Sequence, residues 1–338
     1  MSSTITTPVD AQLDRPATEI PIAPRPGASK LRMFLVVNPR ATTVSARLKN
    51  LVVYALRGRY DVEAVETEGR NHATELTREA AAGGYDLVVA FGGDGTLNEV
   101  ANGLAHTNVP LTILPGGCTN VVCRMLDIPM DIVDATEHLL QLADAPVPRS
   151  IDLASVNGRY FVFSSGCGLD ADATRWVDER QRMKARGRVL TFTYAATAAF
   201  LRDYRARPPR LALEARGQRI EGVSAFVQNS RPFTYARSKP LHVCEDVSFT
   251  SGSISAMVME RAGLRDTPGA IWRLFREGHS LAEHRRARSF PRISEARVAS
   301  LDRDGEPMPF PLEVDGDYLG QYTEAVYGIA PGALRVVS

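Results

Sequence analysis

The sequence predicts an α/β N-terminal domain followed by a β-rich, sandwich-like C-terminal domain. Up to about residue 149, short apolar runs alternate with helix-period segments, and the runs end on loops rich in glycine, proline or asparagine, as in a largely parallel layer. From Ser150 onward the pattern changes to strand-length alternation punctuated by hairpin dipeptides. With 338 residues, 44% of them hydrophobic and 23% charged, the chain can bury two cores of ordinary size.

The elements follow in order. Residues 1–30 are polar and proline-rich, without an apolar stretch that would read as a secretory signal, and are expected to be a disordered tail. Residues 31–149 form the α/β domain. In it Leu35-Val36-Val37 feeds Asn38-Pro39-Arg40, Leu87 to Phe91 feeds Gly92-Gly93, and Leu111 to Leu114 feeds Pro115-Gly116-Gly117. Ligands of open α/β sheets sit at such carboxyl ends of strands, so these loops are the expected site. Residues 150–338 form the β-rich domain, whose last strands are open to returning to the first. Ile151 to Val156 and Arg159 to Phe163 flank Asn157-Gly158, a pair suited to a two-residue turn. Arg210 to Ala215 is expected to pair with Ile220 to Val227, and a strand series runs from Pro311 to Val337. Two segments, Val189 to Tyr204 and Pro268 to Arg286, read as helical.

Composition narrows the partners. A formal net charge of +1 supplies no global field for nucleic acid, which is not expected as a partner. Cys118, Cys123, Cys167 and Cys244 show no paired spacing, so neither a zinc site nor a disulfide framework is indicated, and a reducing cytoplasm fits. The most membrane-like stretch, Leu190 to Leu201, falls short of the roughly 20 residues needed to span a bilayer. Membrane contact would therefore be peripheral. Arginine clusters at 180–188, 202–210 and 273–288 are either solvated faces or a docking surface for an anionic leaflet.

The strongest feature is Gly92-Gly93-Asp94-Gly95-Thr96-Leu97-Asn98-Glu99, set between a buried strand and a helix. Glycines let phosphate oxygens approach main-chain N–H groups, and a helix N-terminus adds unpaired donors and a positive dipole end. A plain turn competes with that reading, since Thr96 and Glu99 have capping-box spacing and Leu97, Val100, Ala101 and Leu104 supply a buried face. Capping leaves Asp94 between glycines unexplained.

The run from Ala90 to Leu104 resembles the nucleotide-binding signature of the diacylglycerol kinase catalytic domain, a family that includes sphingosine, ceramide and bacterial lipid kinases. The resemblance extends to Asn38-Pro39-Arg40 as a first phosphate-side loop, to Thr67 as an acceptor to the nucleotide, and to Leu114 through Gly117, Cys118, Thr119 and Asn120 as a second glycine loop. Downstream, Gly166-Cys167-Gly168-Leu169-Asp170 and Val314-Asp315-Gly316-Asp317 are similar to the second domain of the bacterial members. A bare GGDGT also occurs in NAD kinases and phosphofructokinases, and the ordered series of loops is what makes the resemblance specific.

The resemblance implies ATP and Mg2+ as cofactors and a membrane-lipid hydroxyl as acceptor. The nucleotide would lie along Asn38, Pro39, Arg40, Thr67, Gly92, Gly93, Asp94, Gly95, Thr96, Asn98, Glu99, Gly117, Cys118, Thr119 and Asn120. Asp94 would partner the catalytic magnesium or orient the attacking hydroxyl. The family's catalytic base corresponds to Asp315, with Asp317 beside it, although Asp-Gly is also among the best hairpin signals. An aspartate with a pKa of about 3.9 can take an alcohol's proton only late, as the bond to phosphorus forms. The chain departs from the family at Cys118 and Val121, and at the loop that holds a structural magnesium in bacterial relatives. That loop here reads Glu245-Asp246-Val247-Ser248-Phe249-Thr250-Ser251-Gly252, leaving Asp246 and Glu245 as the nearby carboxylates. Asn229 resembles a position near the substrate cleft, or else ends a strand as a turn former.

These features point to a peripheral, cytoplasmic enzyme at the inner membrane face, with diacylglycerol as the first substrate and a sphingoid base or ceramide as alternatives. A soluble-metabolite kinase of the NAD type and a catalytically silent nucleotide- or lipid-binding protein are the other readings. Whether the unit is a monomer or a homodimer is left open.

Overall fold

The computed structural model describes residues 30–144, 146–168, 171, 210–261, 263, 266–303 and 306–338. The expected tail, the helix at 189–204 and the arginine clusters at 180–188 and 202–209 lie outside the described residues.

The first half runs β1 (Leu31–Val37), α1 (Ala46–Leu56), β2 (Tyr60–Glu66), α2 (His72–Ala82), β3 (Leu87–Gly92), α3 (Asp94–Leu104), β4 (Leu111–Pro115), α4 (Val121–Met125) and α5 (Ile132–Leu142). Strands β2, β1, β3 and β4 are parallel neighbours in that order. The apolar runs of β3 and β4 are buried along their whole length, as strands covered on both faces must be. All four strands point their carboxyl ends the same way, which brings Asn38, Thr67, Gly92 and Gly116 to one edge.

The second half runs β5 (Arg149–Val156), β6 (Arg159–Phe161), β7 (Ser164–Gly168), β8 (Leu211–Ala215), β9 (Gln218–Gly222), β10 (Ser224–Gln228), the small pair β11 (Thr234–Ala236) and β12 (Lys239–Leu241), β13 (Ile254–Met259) and α6 (Thr267–Phe275). It continues with β14 (Ala287–Ile293), β15 (Glu295–Ser300), the pair β16 (Asp302–Arg303) and β17 (Glu306–Pro307), β18 (Phe310–Val314), β19 (Asp317–Tyr322) and β20 (Glu324–Val336). β20 is the seam of the molecule. Its Val336 pairs in parallel with Leu111 of β4, while its length pairs antiparallel with β15 and β5. The parallel sheet therefore continues without a break into β20, β15, β8 and β9. A second, antiparallel sheet in the order β14, β13, β10, β7, β18, β19 packs over that extension.

The period-two pattern decides what each strand faces. On β10, Ala225 and Val227 enter the core between the two sheets, while Phe226 faces the opposite side. On β13, Ile254, Ala256 and Val258 face inward and Met257 and Met259 outward. The outward residues join a small third core with Val243, Leu281 and Ala287, against which Ala270 and Leu274 of α6 pack.

Three expected boundaries differ. The strand expected over 220–227 is two strands in different sheets, β9 pairing with β8 and β10 with β7 and β13. At the break, a side chain on Gly222 would lie 2.6 Å from the Met259 carbonyl oxygen, so only glycine allows the crossing. The strand expected to reach Phe163 pairs only to Phe161, because the next amides are used elsewhere. The helix expected over 268–286 ends at Phe275, where Arg276 turns extended and Gly278 takes a φ of 78°. Among the described residues no helix is long and apolar enough to cross a membrane.

Candidate active site at the two glycine loops

β3 ends at Gly92 and α3 begins at Asp94, with Gly93 as N-cap and no side chain capping the helix. The capping box read from Thr96 and Glu99 does not form. Thr96 Oγ1 instead accepts from Asn38 Nδ2 at 2.9 Å, tying the first loop to the glycine turn. Glu99 accepts from the backbone N–H groups of Asn71 (2.9 Å) and Ala73 (3.1 Å), and so caps the neighbouring helix α2. The α3 N-terminus, with the positive end of its dipole, lies at these loops.

The second glycine loop lies backbone to backbone with the first. Gly116 N–H donates to the Gly92 carbonyl at 2.8 Å, and a Cβ on Gly117 would fall 2.8 Å from Gly93 Cα. Any larger residue at Gly117 would pry the loops apart. Asn120, buried at a φ of 45°, accepts from Gly117 N–H (2.9 Å) and donates to its carbonyl (3.0 Å). It thus builds the loop. Thr43 N–H donates to Gly116 O at 3.1 Å, and the Cys118 thiol donates to Thr42 Oγ1 at 3.3 Å. Pro39 and Arg40 are exposed at the rim, Thr119 is half-buried, and Thr67 N–H holds the end of β2 to Val37 O at 2.8 Å. All these sequence-chosen residues therefore share one edge of the parallel layer.

Asp94 is half-buried at the start of α3, and its carboxylate accepts from Val122 N–H on α4 at 3.4 Å. Burial first, and the nearby Asp94 charge second, push the Cys123 thiol far up. Cys123 is thus an inert neighbour.

The two carboxylates of the Asp315-Gly316-Asp317 hairpin have separate surroundings. Asp315 is 4% exposed and accepts from Val162 N–H (2.7 Å), Phe163 N–H (2.9 Å), Ser164 N–H (3.1 Å) and Asn98 Nδ2 (2.8 Å). Burial pushes its carboxyl up from the ordinary value, and the N–H donors pull against that. Asp317 is half-buried and reaches α3 itself, since a Cβ on Gly95 would overlap its carboxylate. Gly95 therefore leaves room for the close approach of Asp317, across more than two hundred residues of sequence.

Asn98, chosen from sequence as a nucleotide contact, is buried between α3 and the Asp315 hairpin and also donates to Tyr160 O at 3.0 Å. Sequence reasoning missed its partner Arg159, which donates to Asn98 Oδ1 at 2.7 Å and to Asn71 Oδ1 at 3.3 Å. It also missed Asn102, which exchanges hydrogen bonds with Tyr160 N and O at 2.9 Å each. Their signals were an i, i+4 asparagine pair on α3 and an arginine directly after the Asn-Gly turn. Asn229 is fully buried and donates to the Asp152 and Val162 carbonyls at 2.8 and 2.9 Å, supporting the Asp315 cradle from behind.

At the loop 245–252, where the chain departs from the family pattern, the side chains of Glu245 and Asp246 do not converge on one point. Asp246 is exposed at a φ of 52°, Glu245 accepts from Ser280 Oγ at 2.6 Å, and Gly252 N–H donates to Asp152 at 2.6 Å. A structural cation without phosphate would draw its six or more oxygens from the protein and water. Among the described residues no three His, Cys, Asp or Glu side chains gather. Catalytic magnesium would need one or two protein carboxylates besides phosphate oxygens and water, and Asp94 at the start of α3 is of the type that would supply one.

Fold and site define an N-terminal α/β domain joined to a C-terminal domain of β-sheets, with carboxylates converging on a glycine-lined helix terminus. Comparison with known proteins shows what the chain is similar to. Residues 32–154 match the diacylglycerol kinase catalytic domain. The chain is 31% identical over 211 residues to a diacylglycerol kinase of Bacillus subtilis, covering 61% of this chain and 66% of that one, just under two thirds of its length. It is 27% identical over 280 residues to a diacylglycerol kinase of Staphylococcus haemolyticus, covering 81% and 78%. The crystal structure of a diacylglycerol kinase from Bacillus anthracis superposes with a TM-score of 0.68 at 22% identity, over 90% of this chain and 96% of that one, and shares the fold. Residues 32–154 thus match the diacylglycerol kinase catalytic domain, and the relatives the chain resembles are named diacylglycerol kinases.

Proposed function

We propose that this protein transfers the γ-phosphoryl group of ATP to a hydroxyl of a membrane lipid, with diacylglycerol as acceptor and phosphatidic acid as product. The observation that carries the reading is the Asp317 carboxylate against Gly95, at the N-terminus of α3 and beside the paired glycine loops. Residues 31–149 act as the nucleotide domain and residues 150–338 as the lipid domain, with the acceptor entering between them. The backbone N–H groups at Gly93 to Thr96 and Gly117 to Thr119 would hold phosphate oxygens, and Asp94 would hold magnesium together with those oxygens. Magnesium, when bound, neutralises charge developing on the β- and γ-phosphates.

Asp317 orients the lipid hydroxyl. As that oxygen bonds to the γ-phosphorus, the bond to the β,γ-bridging oxygen breaks, ADP leaves, and Asp317 accepts the hydroxyl proton late. Asp315, surrounded by donors, positions the hairpin that presents Asp317. The protein works as a peripheral enzyme at the cytoplasmic face of the membrane.

The test is transfer of labelled γ-phosphate from ATP and magnesium to mixed micelles containing diacylglycerol, sphingosine, ceramide or monoacylglycerol, with Asp94→Asn as control. Labelled phosphatidic acid, lost in the variant, is the expected result. A labelled sphingoid product would move the acceptor class, transfer only to NAD would make it a soluble-metabolite kinase, and ATP binding with no transfer would make it a silent binder.

A further inference from the structure

We propose that α6 is a membrane-docking element that seats the C-terminal domain on an anionic phospholipid bilayer; this rests on the lipid-kinase reading only for its purpose. α6 already spends one apolar side on the protein, where Ala270 and Leu274, one turn apart, pack on the third core. A surface helix that has buried one stripe ordinarily shows water a polar remainder. α6 shows Ile271, Trp272 and Phe275 instead, 45%, 48% and 39% exposed. At 100° per residue these three fall within one arc of about 100°, with Ile271 at its edge next to Leu274 and Phe275 and Trp272 turned farther from the buried side. Scattered exposed apolar residues are ordinary, but three on one outward helix face form a patch.

The surroundings of the patch select its partner. Arg276 lies with its guanidinium 4.4 Å from the Trp272 ring centroid and Arg273 at 5.8 Å. Residues 260–288 carry seven arginines against four carboxylates (Glu260, Asp266, Glu277 and Glu283). Asp266 and Glu260 are engaged by Arg285 and Arg288. An indole and a phenyl ring flanked by guanidinium groups match the boundary between acyl chains and phosphate headgroups, where aromatic rings settle and arginines meet lipid phosphates. An apolar protein partner would explain the rings and leave the surplus of arginine without a role. The chain has two tryptophans, Trp176 and Trp272, so the patch can be watched directly.

The test uses full-length Trp176→Phe protein mixed with vesicles of phosphatidylcholine alone or with phosphatidylglycerol added. Trp272 emission should shift to the blue and be quenched by brominated acyl chains only with the anionic vesicles. An Ile271→Ser/Trp272→Ser/Phe275→Ser variant of the wild-type chain should lose about tenfold or more in vesicle affinity by sedimentation. Arg276→Gln should lose about fivefold and flatten the salt dependence. Both should keep wild-type turnover on short-chain diacylglycerol dispersed in detergent. Trp272 emission unmoved by anionic vesicles would overturn the proposal. So would a triple variant that turns a dimer into a monomer while binding vesicles like wild type, which would make the patch a contact between copies. Vesicle binding with no lipid phosphorylation would leave the docking surface standing and sink the kinase reading; turnover on dispersed lipid without vesicle binding would do the reverse.

Discussion

Two hairpins of this molecule have almost the same turn and opposite uses. Asn157-Gly158 takes φ values of 48° and 83°, and Asp315-Gly316 takes 49° and 80°. Both satisfy the positive-φ demand of a two-residue turn between right-twisted strands. At the first, the side chain stays at the surface, where Asn157 accepts from Val326 N–H at 2.8 Å and donates to Glu324 O at 3.0 Å, fastening β5 to β20. At the second, the side chain goes inward, and four N–H donors gather around Asp315. Turn chemistry alone therefore does not mark a site. What distinguishes the second hairpin is the tertiary environment that receives its carboxylates.

Substitutions can break that contrast. The largest effect should come from Asp315→Ala, which strands three buried backbone N–H groups and the Asn98 amide; denaturant unfolding should show a loss of about 3–5 kcal/mol, with turnover falling alongside it. Stability unchanged within error would mean the cradle does not hold the hairpin. Asp317→Asn should lower kcat on diacylglycerol about 10²–10⁴-fold while leaving the melting temperature near wild type, since this carboxylate is half-buried. An Asp317→Asn enzyme that keeps full turnover would return the base to Asp315.

Asn157→Ala should cost about 1–2 kcal/mol, the strain of an alanine in the left-handed region, and should leave KM for ATP untouched. A change in KM would make this hairpin part of the site too. The smallest effect belongs to the ion pairs behind it. Arg297 is paired with both Glu214 and Glu324, and its hydrogen bond holds the Glu214 carboxyl below its usual value. A depressed carboxyl stabilises the fold above its unfolded pKa of about 4.3, and that contribution is lost as pH falls through the folded value. Glu214→Gln should thus lower stability at neutral pH by about 0.5–1 kcal/mol, with the difference from wild type vanishing in acid. A difference that persists in acid would mean the effect is packing.

Several residues of the candidate site are legible in the sequence. The loops at Asn38, Gly92 and Gly116 could be read because apolar runs and their terminating glycines lie next to one another in the chain. Asp317 could be named only beside Asp315, since an Asp-Gly-Asp turn does not reveal which carboxylate is buried. Arg159 and Asn102 were passed over because their partners are supplied by α3 and β6, segments about sixty residues apart. Glu99 was assigned to the wrong helix end, because capping-box spacing is local and Asn71 N–H is not.

The sequence by itself determined the parallel strands, the glycine turns at their carboxyl ends and the hairpin turns, all of which follow from hydrophobic period and φ preference within a few residues. The tertiary structure alone decided that β20 joins β4, that β9 and β10 part into different sheets, and that Asp315 is enclosed while Asp317 meets Gly95. It alone decided that Ile271, Trp272 and Phe275 face outward. These outcomes depend on contacts between segments tens to hundreds of residues apart. Local propensity carries no information about which distant surface a side chain will meet.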